Sequence, residues 1–192
     1  MDLALFAIGW TIGWLLLWRL RPLPADGRAD ARRPAVAVIV PARNEAASLP
    51  HLLAGLVRQL RPDDELVVVD DHSTDSTADI AARCGARVVS SPELPSGWLG
   101  KPHACWVGAQ STVAPLLLFV DADVRPAADL LDRVAHAWFA SPDAVISMQP
   151  WHETGSWIEQ ASLLANVTAL MGSGAFTAAG SSVTPTVAFG PV

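Results

Sequence analysis

"ELVVVDDHSTDSTADIAARCG", residues 65–85, decides the fold. An apolar run, Leu66 to Val69, ends in Asp70 and Asp71. A polar turn follows, then a helical run from Ser73 that Gly85 stops. Unbroken apolar strands suit a sheet buried on both faces, and strand-then-helix is the repeating unit of a parallel sheet. Serine and threonine start such helices, and glycine closes them in a left-handed turn.

The same alternation runs through the rest of the chain. Strands are expected at 35–42, 86–91, 115–123 and 143–150, and helices at 48–60, 101–112 and 127–140. Ser48 serves as an N-cap, with Pro50 tolerated in the first turn of its helix. The pattern predicts an α/β domain: a Rossmann-like, mostly parallel sheet with helices on both faces. Ligands of such sheets bind beyond the carboxyl ends of the strands.

The N-terminus differs. "LALFAIGWTIGWLLLW", residues 3–18, carries no charge. It would make a helix of roughly 24 Å, a little short of a bilayer core unless its flanks extend it. Trp10, Trp14 and Trp18 share one helical face, and Arg19, Arg21, Arg28, Arg32 and Arg33 follow. Residues 1–20 are expected to be a transmembrane anchor, 21–34 a linker and 35–192 the sheet domain. Arginines after the apolar run place that domain on the cytoplasmic side of an inner or plasma membrane. Asp2 and those arginines disfavour a cleavable signal peptide.

The 192 residues carry a net charge of −6, with no basic stripe of the kind that binds nucleic acid. Two cysteines, Cys84 and Cys105, exclude a disulfide framework, and no zinc-ligand spacing occurs.

Chemistry concentrates at the strand ends. The first strand runs into "PARNEA", the second into Asp70–Asp71, the fourth into Asp121–Ala122–Asp123. A parallel sheet gathers these acids at one edge, where like charges repel and a positive partner is required. A hard divalent cation, Mg²⁺ or Mn²⁺, suits carboxylates and completes its shell from a diphosphate. The competing reading makes each acidic pair a helix N-cap. Lys101, the sole lysine, stands in "GWLGKPHAC" ahead of a helix whose N-terminus could face an anion. His103 and Cys105 belong to no nucleophile–base constellation, and a lone helical histidine such as His103 is more often packed or exposed than catalytic.

"IVPARNEA", "VVVDDHSTDST", "GWLGKPHAC" and "FVDADV", in that order, resemble the family 2 glycosyltransferases of the GT-A fold. "GKPHAC", "SMQPWH" and "AFGPV" resemble the 4,4′-diaponeurosporenoate glycosyltransferase group within it. Hopanoid-associated glycosyltransferases are the nearest competitor. The resemblance implies an inverting transfer of a hexose, glucose foremost, from a UDP-sugar to a lipophilic acceptor such as a carotenoid carboxylic acid. It implies Pro41, Arg43 and Glu45 near the nucleotide, Asp70 and Asp71 at uracil and ribose, and Lys101 at the diphosphate. Asp121 and Asp123 match the DxD pair, with Asp123 the more direct metal ligand.

In the family the acceptor half and its base follow the matched region. No charged residue follows Glu159 here, so the sheet domain reads as C-terminally incomplete, with a base beyond Val192. A non-catalytic UDP-sugar or metal-binding module is therefore an alternative. A nucleotidyltransferase would want a glycine-rich loop after the first strand, and "PARNEA" has none.

Overall fold

A computed structural model describes residues 3–16, 33–140 and 145–148. The chain divides into two units.

The described part of the first unit is helix α1, Leu3–Leu16, with residues 147–148. Ile8, Trp10, Ile12 and Leu15 are each at least half exposed. Among the described residues no helix is long and apolar enough to cross a membrane. The anchor expected at 1–20 overlaps α1, and its remaining residues lie outside the described part.

The second unit alternates as expected: β1 Val36–Ala42, α2 Leu49–Val57, β2 Glu65–Asp70, α3 Thr77–Arg83, β3 Arg87–Ser90, α4 Gly100–Gln110, β4 Leu116–Phe119 and α5 Leu130–Ala140. The four strands form one sheet in the order β3-β2-β1-β4, with every pair parallel. Ile39 stands opposite Val67 on one side and Phe119 on the other. Val36 to Val40 are essentially inaccessible, as a central strand requires.

Right-handed crossovers fix the layers. The connections β1-α2-β2 and β2-α3-β3 progress in one direction, so α2 and α3 cover one face. The step from β3 to β4 reverses direction and puts α4 on the other face. Leu49, Leu52, Leu53 and Leu56 of α2 are fully buried. Each such side chain contributes about 1.5–3 kcal/mol by leaving water. Opposite them, Ala104 packs with Ile39, Val67 and Val69.

Gly108 sets how closely α4 approaches the sheet. A Cβ there would lie 2.4 Å from Ile39 Cγ2 and 3.0 Å from Val69 Cγ2. Both neighbours are fully buried and cannot retreat. Gly108→Ala is therefore expected to destabilise the domain by about 1–3 kcal/mol, read from its urea-unfolding midpoint. An unchanged midpoint would show that α4 shifts freely.

Several boundaries differ from expectation for identifiable reasons. α3 begins at Thr77, not Ser73, because Ser73, Thr74 and Asp75 bond to the neighbouring loop. Ser48 precedes α2 without a side-chain capping bond. β4 stops at Phe119; Val120 N–H still donates to Ile39 O, and Asp121 to Val124 then close a turn. Of the strand expected at 143–150, residues 145–148 are irregular and the others lie outside the described residues.

Arg33, assigned by sequence to a linker, is among the most buried charges. Its guanidinium meets Asp64 at 3.0 and 2.6 Å, and both side chains are 1% exposed. Asp64 also accepts the N–H groups of Val36 and Arg61. The pair thus ties the chain entering β1 to the turn preceding β2.

Candidate functional site

The carboxyl ends of β1, β2 and β4 form one edge. Strand order reverses between β1 and β4, the position where open α/β sheets leave a crevice. Pro41 sits at this point. Ile39 bonds toward β4, so position 41, two residues on, faces the same way, and proline has no N–H to offer there. β4 has already left the ladder there, and no sheet bond is lost.

The turns after β1 and β2 are laced together. Asn44 N–H donates to Ser73 Oγ at 3.0 Å, and Glu45 N–H to Thr77 Oγ1 at 2.8 Å. Ala46 N–H donates to Asp75 at 3.2 Å, while Asn44 Oδ1 accepts the N–H of Thr74 at 2.8 Å. Asn44 and His72 hold the left-handed conformation, with φ of 56° and 59°. Asparagine and histidine enter that region more readily than most residues. Asp75 also receives the N–H and hydroxyl of Thr77. The Thr77 hydroxyl, against an opposing effect of desolvation and with help from backbone N–H groups, holds the Asp75 carboxyl below the usual range. Residues 73–76 of the helix expected at 73–85 are therefore loop.

Four predicted residues meet in pairs. Lys101 Nζ lies 2.7 Å from Asp121 Oδ1, and Arg43 lies 3.8 Å from Asp71 Oδ2. Both aspartates are buried, while Lys101 and Arg43 are at least half exposed. A Cβ on Gly100 would come within 2.9 Å of Asp71 Oδ2, so glycine lets α4 begin against that carboxylate. A helix N-terminus favours the negative charge there. Asp70 has a buried carboxyl oxygen, Oδ1, without a hydrogen-bond partner. Asp123 is exposed at the turn beyond Asp121.

The capping alternative is not what forms. Asp75, not Asp70 or Asp71, bonds the first turn of α3. α5 begins at Leu130, beyond the reach of Asp123. Glu45 contributes through its backbone, its carbonyl accepting the N–H groups of Ser48 and Leu49.

Two residues of α4 resolve differently. His103 is buried, its Nδ1 3.4 Å from Ser91 Oγ, with the Trp98 ring edge-on at 5.6 Å. It is a packing residue. Cys105, half-buried one helical turn after Lys101, adjoins the site. Burial pushes its thiol up, Lys101 pulls it down and Asp121 pushes it up again. The net direction is upward, which makes it a poor nucleophile. The i, i+4 spacing from Lys101 was the available signal for its position.

The segment carrying the acids is braced from α2 and the turn that follows it. Gln59 donates to Ala127 O at 2.9 Å and accepts Leu131 N–H at 3.1 Å. Gly55 leaves room for Pro126, whose Cγ would be 2.6 Å from a Cβ.

Among the described residues, no three His, Cys, Asp or Glu side chains cluster closely enough to hold a metal unaided. A protein-caged metal does not fit. Mg²⁺ and Mn²⁺ ask less: one or two carboxylates, with substrate phosphates and waters completing the shell. Asp121 and Asp123 match that oxygen-only demand, and Lys101 and Arg43 stand beside Asp121 and Asp71 at the same edge.

A parallel sheet with charged side chains gathered at its switch point defines the class of open α/β proteins that bind ligands beyond the carboxyl ends of their strands. The sequence model of Glycosyl transferase family 2 matches residues 37–174, and the chain belongs to that family. A curated 4,4′-diaponeurosporenoate glycosyltransferase of Staphylococcus haemolyticus is 34% identical over 186 residues, covering 94% of this chain and 49% of the relative. Its Staphylococcus aureus counterpart is 35% identical over 161 residues, covering 82% and 43%. The chain thus spans about half the length of the curated relatives it matches. The structure of S. aureus TarS 1–349 superposes with a TM-score of 0.51 at 30% identity, covering 64% of this chain and 38% of that one.

Proposed function

We propose that this chain is the donor-binding part of a family 2 glycosyltransferase that transfers a hexose, glucose foremost, from a UDP-sugar to a lipophilic acceptor. The observation that carries the reading is the pair of acid–cation contacts, Lys101–Asp121 and Arg43–Asp71, at the switch-point edge. The names of the curated relatives favour a carotenoid carboxylic acid as acceptor. The uridine nucleotide and an inverting course follow from the motif resemblance. The apolar α1 and the arginines after it support anchoring at the cytoplasmic face of the cell membrane.

In this reading Asp70 and Asp71 face uracil and ribose, and Lys101 and Arg43 offset the charge of the diphosphate. Asp121 and Asp123 would hold a divalent cation, which supplies electrostatic stabilisation of the departing UDP. A carboxylic acceptor ionises near pH ~4 and asks little of a base.

Calorimetric titration with UDP, in Mn²⁺ and after chelation, tests the donor site. UDP affinity is expected to fall at least tenfold on chelation. Equal affinity in both conditions would remove the metal from the reading. UDP-glucose turnover in Mn²⁺ supports an enzyme, whereas metal-dependent binding without turnover makes the chain a binding module.

A further inference from the structure

Resting on that reading for the choice of partner, we propose that the surface formed by Leu94, Trp98, Leu99 and Trp106 docks on the headgroup region of a lipid bilayer and holds the site edge beside a lipophilic acceptor. Residues 92–99, between β3 and α4, are all exposed, yet the segment is built. Trp98 N–H donates to Pro95 O at 3.1 Å and closes a turn. Gly97 takes the left-handed conformation in that turn, with φ of 83°, where other side chains are strained. The Trp98 ring rests edge-on against the buried His103 at 5.6 Å and meets the Trp106 ring at 6.2 Å. Even so supported, Trp98 is 40% exposed, Trp106 54% and Leu99 74%. A contiguous apolar surface of this kind, presented by an ordered turn, marks an interaction site.

Charge and area choose the partner. Residues 94–120 hold none of the chain's 19 acidic residues, and their one charged side chain, Lys101, is basic. Anionic headgroups therefore meet no repulsion from this stretch. Tryptophan sets an apolar ring and a polar N–H across a membrane–water boundary. The four side chains offer roughly 400 Å² of surface. That is about half of the ~800 Å² that each partner in a stable protein pair buries, so the area suits a shallow lipid contact better than a second copy of this chain. The same segment reaches the site. Gly100 lies against Asp71, and Lys101 contacts Asp121. Docking through residues 94–106 therefore brings the edge to the layer where an acceptor with a long apolar body resides.

The test uses the full chain with Cys84→Ser and Cys105→Ala, carrying one nitrobenzoxadiazole fluorophore at Leu99→Cys or at Val57→Cys. Val57 is also exposed, but on α2, across the sheet from α4. Vesicles of phosphatidylcholine and phosphatidylglycerol are prepared with and without a spin-labelled lipid that quenches at shallow depth. The probe at Leu99 is expected to lose about half of its emission to that lipid, and the probe at Val57 less than about a tenth. Adding Trp106→Ser is expected to weaken quenching at Leu99 by about twofold with UDP affinity unchanged. Unchanged quenching in that variant, or quenching at Leu99 no greater than at Val57, overturns the docking. A blue-shifted probe that the lipid quencher does not reach also overturns it, since a second protein copy gives that result. UDP titration of the same labelled chain reports on the donor site separately. UDP binding without quenching removes the docking alone, and quenching without UDP binding removes the donor reading alone.

Discussion

Asp123→Ala is expected to lower UDP-sugar turnover by about 10²–10³-fold, the scale of removing one group that stabilises a developing charge. Metal-dependent UDP binding should fall with it, while the unfolding midpoint stays within about 0.5 kcal/mol of the parent. The separation follows from exposure. Asp123 stands in solvent at the turn, where the fold does not depend on it. Asp121 is a poorer probe because it is nearly buried and paired with Lys101, so its loss disturbs folding and binding together. Steady-state kinetics in Mn²⁺, beside a urea titration, checks both halves. Turnover within threefold of the parent would remove Asp123 from the proposed chemistry.

The largest stability effect is expected at the opposite end of the sheet. Asp64→Ala leaves the buried Arg33 guanidinium with only Asp132, at 3.6 Å, and breaking such a buried pair costs about 3–5 kcal/mol. The double replacement Arg33→Met with Asp64→Leu should recover only part of that loss, since it removes the unpaired charge but leaves the N–H groups of Val36 and Arg61 without their acceptor. Urea unfolding of the three variants reads both effects. A loss below about 1 kcal/mol in Asp64→Ala would show that the pair is solvated in solution.

Asp64 also predicts an acid response. Burial pushes its carboxyl up, but the Arg33 hydrogen bonds, the N–H groups of Arg61 and Val36, and the Arg33 charge outweigh it, so the net direction is down. A group depressed by folding contributes stability above its unfolded pKa. That contribution is lost as pH falls through the folded value. Stability should therefore decline below about pH 4, and Asp64→Asn should flatten the decline.

The sheet and the acids at its edge were legible because apolar runs and terminal carboxylates are local signals. Gly85 illustrates the point: its φ of 83° matches the helix stop expected of it. The less legible features depend on distant partners. Arg33 looks like one more arginine in a polar stretch until Asp64, 31 residues on, is placed beside it. "STDST" reads as the start of a capped helix because nothing local shows that these side chains serve the backbone of residues 44–46. The end of β4 was read too late because the carboxylates of "FVDAD" were taken as the tip of the strand, whereas the chain turns at Asp121, directly after Val120 makes its bond to β1. The pairing of Lys101 with Asp121 joins two motifs that were each recognisable, yet their contact is a property of the crossover.

The brace from α2 bears on the entropy of ligand capture. Val120 is fixed to β1 on one side of the acids, and Ala127 is fixed to Gln59 on the other. Only the short span from Asp121 to Pro126 lies between these two moorings. Its backbone was already ordered when the domain folded, so a ligand has chiefly side-chain rotamers left to freeze. Loosening Gln59 would transfer that ordering cost to the moment of binding, and affinity would fall without loss of any contact to the ligand.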